Sequence, residues 1–189
     1  MRNTFRDLRT TVLLLTVAAA IAAPAAGQSG PWQSQPTIGI AAGVSDDGNW
    51  AGDGRNLLVS GTYELPIADV LQVQVEAART RQALSAQARA DQGDTVHISR
   101  LTIGLAAIKR SAAPLIPYGG AGIGLYLATF DRAPTTRWRR GGYLRGGIEV
   151  QVTDALAVDV EGGLHVVPQP LYADGVLRGE LVLRVKLGL

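Results

Sequence analysis

From residue 177 to 189, apolar and polar side chains take turns. Leu177, Gly179, Leu181, Leu183, Val185, Leu187 and Leu189 hold the odd positions, and Arg178, Glu180, Val182, Arg184, Lys186 and Gly188 the even ones. A period of two sends one set to each face of an extended strand, because successive side chains point to opposite sides. The split recurs upstream. Leu71, Val73, Val75 and Ala77 oppose Gln72, Gln74, Glu76 and Ala78. Leu144, Ile148, Val150 and Val152 oppose Tyr143, Arg145, Glu149 and Gln151. Leu156, Val158, Val160, Leu164 and Val166 oppose Asp159, Glu161 and His165. With weaker segments included, the pattern predicts strands at 36–45, 55–65, 70–79, 96–109, 115–130, 143–152, 156–166 and 177–189. The expected fold is all-β: an eight-stranded antiparallel up-and-down barrel.

The connections alternate in length. Those at 66–69, 110–114 and 153–155 are short, while 46–54, 80–95, 131–137 and 167–175 are longer and polar. Short turns at one end and long loops at the other are the layout of an outer-membrane barrel, whose long loops face outward from the cell. An even strand number also puts both chain ends at the short-turn side.

Residues 1–27 read as a secretory signal peptide. Arg2, Arg6 and Arg9 precede an apolar run from Thr11 to Ala23, then Pro24 and the small residues Ala25-Ala26-Gly27. The run is shorter than the ~20 residues of a membrane-spanning helix. Residues 1–27 contain no adjacent arginine pair, so the general secretory route is expected. Residues 28–189 form the expected barrel domain. The chain's net charge of +2 comes from 18 basic and 16 acidic residues. The signal holds three arginines and Asp7, so without it the two signs are equal. A neutral domain offers nucleic acid no basic footprint. The absence of cysteine excludes disulfides, thiolate metal sites, a cysteine nucleophile and a lipoprotein anchor.

Periodicity does not say which face is inside. A soluble barrel of the lipocalin kind buries its apolar face, whereas a membrane barrel turns it outward. Three features favour the membrane. The polar face carries a balanced set that can pair within a lumen: Glu64, Glu76, Glu149, Asp159, Glu161 and Glu180 against Arg100, Arg145, Arg178, Arg184 and Lys186. Gly39, Gly43, Gly104, Gly120, Gly122, Gly124 and Gly147 share that face, leaving room for long Arg and Glu side chains. The apolar face is Leu, Val and Ile, with few of the aromatics usual in a globular core.

The stretch Ile116-Pro117-Tyr118-Gly119-Gly120-Ala121-Gly122-Ile123-Gly124-Leu125-Tyr126 resembles the fifth strand of small outer-membrane β-barrel proteins of the OmpA/OmpX-like group. Together with the signal and strand spacing, the resemblance spans roughly 36–189. It implies a barrel in the outer membrane of a Gram-negative-type bacterium, placed there by the barrel-assembly machinery. One departure stands out: the family's last strand ends in Phe or Trp, and this one in Leu189.

Candidate chemistry is sparse. Gly120-Ala121-Gly122-Ile123-Gly124 lacks the spacing and following helix of a dinucleotide loop. His97-Ile98-Ser99 resembles the His-x-Ser of outer-membrane lipid A deacylases, but those need an acid about a dozen residues on, and Ser occupies 111. His165 is expected in the lumen beside Asp159 and Glu161, hydrogen-bonded rather than ligating a metal. Asp159 and Glu161 read as charge neutralisation rather than an acid/base pair. Asp46, Asp47, Asn49 and Asp53 lack the ligand spacing of a calcium loop. Trp32, Trp50, Trp138 and Tyr143, near expected strand ends, are candidates for the membrane interface. No catalytic, cofactor or metal residue is therefore assigned. The expected function is structural or surface-interactive, with a closed lumen, outer-membrane lipid as the surrounding partner and a monomeric state. A narrow pore for small solutes and a lipid-modifying enzyme are the alternatives.

Overall fold

The computed structural model describes residues 35–46, 56–83, 93–108, 115–132, 136–153, 155–167 and 178–189. The signal peptide 1–27, Trp32, Trp50, nearly all of loop 46–54 and the Arg178 side chain lie outside that set. Eight strands follow in order: β1 (Thr37–Asp46), β2 (Asn56–Ala68), β3 (Leu71–Ala83), β4 (Thr95–Ile108), β5 (Leu115–Phe130), β6 (Thr136–Thr153), β7 (Leu156–Val166) and β8 (Arg178–Gly188). Each pairs antiparallel with the next, and β1 pairs with β8, so the sheet closes on itself. Closure satisfies every strand edge, which matters most where no water can do so.

The expected strands are all present, and several run longer. β6 begins at Thr136, seven positions before the expected start at 143. Arg137-Trp138-Arg139-Arg140 hides the alternation there, because polar residues fall on both faces. β2 extends to Ala68 and β3 starts at Leu71, so the turn expected at 66–69 shifts to Asp69-Val70, and β3 runs on to Ala83. Register shifts between Pro66 and Ala68, and between Gln151 and Thr153, flank the two tightest turns. Bulges at such rims let adjoining strands turn sharply.

Exposure is inverted relative to a soluble protein. Ile40 is 70% exposed and Ile123 68%, and Leu144, Val160, Leu181, Leu183 and Val185 are also exposed. Arg184 is 0% exposed and Lys186 1%. Val75 and Ala77 have the expected outward parity, opposite Ile103 and Leu101 on β4, yet both are buried. Water does not favour this distribution, since contiguous apolar surface is exposed and charge is sequestered. It suits a hydrocarbon surround with a side-chain-filled interior.

Candidate functional site

Among the described residues, the lumen gathers most of the salt bridges. Its charges come from alternate positions of neighbouring strands, brought level by the register. Asp159 of β7 lies opposite both Arg184 of β8 and Glu149 of β6. Glu161 lies one lumen position further along β7, within reach of the same arginine. Each arginine then joins carboxylates from different strands.

The resulting network spans the barrel interior. Toward the long-loop end, Arg100 donates to Glu180 at 2.6 Å and to Glu76 at 2.7 Å. Arg145 donates to Glu76 at 3.2 Å and lies 3.6 Å from Glu161. Arg184 donates to Glu76 at 3.2 Å and Glu161 at 3.0 Å, and reaches Asp159 at 3.4 Å. Toward the short-turn end, Lys186 meets Glu149 at 2.8 Å, Asp159 at 2.9 Å and Glu64 at 3.0 Å. Glu64 also accepts from Thr37, Gln72 and Gln74. These side chains are almost wholly buried, so each charge depends on its partners for solvation.

Apolar groups cap the network at both ends. Val96, Ile98, Tyr126, Ala128, Phe130 and Val167 cluster at the long-loop end. Ile108, Ile116 and Tyr118 do so at the short-turn end. Between them lie the interlocking salt bridges, with Ala41, Leu58 and Val182 as a further buried apolar cluster.

Tyrosines complete the filling, and they explain most of the lumen glycines. A Cβ on Gly104 would lie 2.3 Å from the Tyr143 hydroxyl, and one on Gly122 would lie 2.6 Å from the same ring. At Gly147 it would meet the Tyr118 hydroxyl at 2.7 Å. Tyr118 donates to Glu161 at 2.8 Å, and the Arg145 guanidinium lies 4.2 Å from the centre of the Tyr143 ring. Room for long charged chains, the expected role of these glycines, is what Gly39 gives Arg184. The others mainly make room for rings and for close strand approach. The sequence does not show this, because a glycine's cross-strand partner depends on register.

His165 is in the lumen, but its partners are Tyr126, whose hydroxyl shares a 2.7 Å hydrogen bond with Nδ1, and Glu180, 3.0 Å from Nε2. Glu161 and Asp159 lie two and three lumen positions away from it along β7, toward the short-turn end. Both are paired with Arg184, as neutralisation requires. The glycines at 120, 122 and 124 lie within strand β5, with no phosphate loop. Tyr143 is not at the interface: β6 starts earlier than expected, so this residue is mid-strand and buried in the lumen. Trp138 is on the outer surface and 56% exposed. His97 and Ser99 also lie on the outer face, and the acid near His97 is Asp131 at the end of β5, 3.9 Å from Nε2. Asp131 accepts a short hydrogen bond from Thr95 as well. Position 111 is outside the described residues.

A closed eight-stranded antiparallel barrel with an apolar coat and a charge-paired interior has the fold of the small outer-membrane barrels. Solved structures agree. Neisserial surface protein A superposes with a TM-score of 0.63 at 16% identity, over 82% of this chain and 96% of that one. Ail, the attachment invasion locus protein of Yersinia pestis, gives 0.56 at 14% identity, over 82% and 97%. The N-terminal β-barrel domain of OprF from Pseudomonas aeruginosa gives 0.56 at 12% identity, over 83% and 100%. No family model matches the chain, and no curated protein matches it by sequence.

Proposed function

We propose that this chain is an integral outer-membrane protein with a structural or surface-interaction role and a lumen sealed to solutes. It is exported with residues 1–27 as a cleaved signal and inserted by the barrel-assembly machinery. It stands as a monomer in outer-membrane lipid, without enzymatic activity. One observation carries the reading: isoleucine, leucine and valine face outward while Arg184, Lys186 and their carboxylates are buried inside. A soluble barrel would have the opposite arrangement. The three outer-membrane barrels named above, which share the fold, support the same placement. Sealing follows from the salt bridges that cross the interior and from the apolar clusters at both ends. Eight strands leave an interior that side chains can fill. The long connections are then the parts available to partners outside the cell.

Planar-bilayer recording of the refolded protein tests the sealed lumen. The expected trace is flat at moderate voltage. Large, stable conductance steps would instead support the narrow-pore alternative.

A further inference from the structure

The alternation that lays an aliphatic coat over β3 and β4 continues past the coat's edge, and there the outward positions become polar. On β3 the outward series Leu71, Val73, Val75 and Ala77 is followed by Arg79 and Arg81. On β4 the outward series Leu105, Ile103 and Leu101 is followed by Ser99 and His97. The register pairs Arg79 with Ser99 and Arg81 with His97. Directly paired residues have Cβ atoms about 4.5–5.5 Å apart, and residues two apart on a strand are separated by about 6.6 Å. The four side chains thus form one contiguous patch at the long-loop end of the barrel. Arg81 is exposed, and Arg79, His97 and Ser99 are half-buried.

We infer that Arg79, Arg81, His97 and Ser99 form a docking surface for the phosphorylated headgroup of an outer-leaflet glycolipid. This rests on the membrane placement proposed above. The patch faces the same way as the lipid-facing residues, so an occupant must lie alongside the barrel. Its strand neighbours are Leu57 and Val59 on one side and Leu127 and Thr129 on the other, and the three aliphatic ones suit acyl chains. Guanidinium groups donate forked hydrogen bonds that match phosphate oxygens, and imidazole and hydroxyl add further donors. Among the described residues, Asp131 lies on the β5 side of the patch, beside His97 and Thr95 and across β4 from the two arginines. A phosphate monoester, with a charge near −2, complements two arginines better than a neutral or zwitterionic headgroup does.

The test uses the full barrel refolded in detergent, checked for heat-modifiable mobility, and mixed with bisphosphorylated lipid A. Retained lipid is read by native mass spectrometry. The double variant Arg79→Gln/Arg81→Gln should keep its mobility shift and lose retained lipid A about tenfold. Arg140→Gln, outward on β6 and away from the patch, should retain it like the parent protein. Retention should also fall for dephosphorylated lipid A and for phosphatidylglycerol. Undiminished retention by the folded double variant would overturn the inference. So would equal retention of either control lipid, or an equal loss with Arg140→Gln. A parent protein with no mobility shift and no insertion into vesicles would instead overturn the membrane placement itself.

Discussion

Leu183 and Arg184 are adjacent in the chain and sit in different solvents, the first on the outer surface and the second in the lumen with no exposure. Single substitutions should therefore have effects set by face. Leu183→Arg places a charge on the lipid side and should cost about 2–4 kcal/mol near the bilayer midplane. Folding yield into vesicles should drop sharply; parental yield would mean the face is misassigned. Glu76→Gln removes the carboxylate shared by Arg100, Arg145 and Arg184. Breaking one partner out of a buried ionic cluster costs about 3–5 kcal/mol. The denaturant midpoint in vesicles, followed by tryptophan fluorescence, should fall accordingly, and an unchanged midpoint would contradict the network. At this scale much was legible in the sequence. A period of two places Glu64, Glu76, Arg100, Arg145, Arg184 and Lys186 on one face, and the balanced charges and glycines of that face assign it to the lumen. The partners of His165 were not legible. Glu180 reaches it from β8, and that pairing exists only once the barrel's register is set.

Neighbouring residues of one strand make the same point for elements. On β6, Gly147 faces the lumen, and a Cβ there would come within 2.5 Å of the Val160 carbonyl oxygen and 2.7 Å of the Tyr118 hydroxyl. Gly146 faces outward, and its Cβ would meet nothing closer than the Tyr118 carbonyl oxygen at 3.5 Å. Gly147→Ala should destabilise the barrel by about 1–3 kcal/mol through overpacking against backbone. Gly146→Ala should leave it near parental stability. Thermal shift of the folded gel band separates the two, and equal effects would contradict the lumen packing. Strands β5 and β7 coincide with the sequence expectation; on β7 the aliphatic alternation runs to the end at Val166. The start of β6 does not, because Trp138 and Arg140 lie outward while Tyr143 lies inward. Hydropathy cannot separate faces in a segment with polar residues on both. Arg81 was likewise assigned to a loop, although the parity of Leu71, Val73 and Val75 extends to it.

For the whole molecule, placement of charge decides between architectures. A barrel with this interior has no use for water inside and cannot expose its coat to water outside. The function proposed above makes it a stable plug in lipid rather than a catalyst. Overexpression should accordingly leave the lipid A mass spectrum unchanged; a lost acyl chain would revive the enzyme alternative, with His97, Ser99 and Asp131 as the group to mutate first. The central claim is a folded barrel in the outer membrane, and cell fractionation with gel mobility before and after boiling tests both parts at once. The account predicts the protein in the outer-membrane fraction, with unboiled and boiled samples running as separate bands. Recovery in the soluble periplasmic fraction, with one band whether boiled or not, would contradict it.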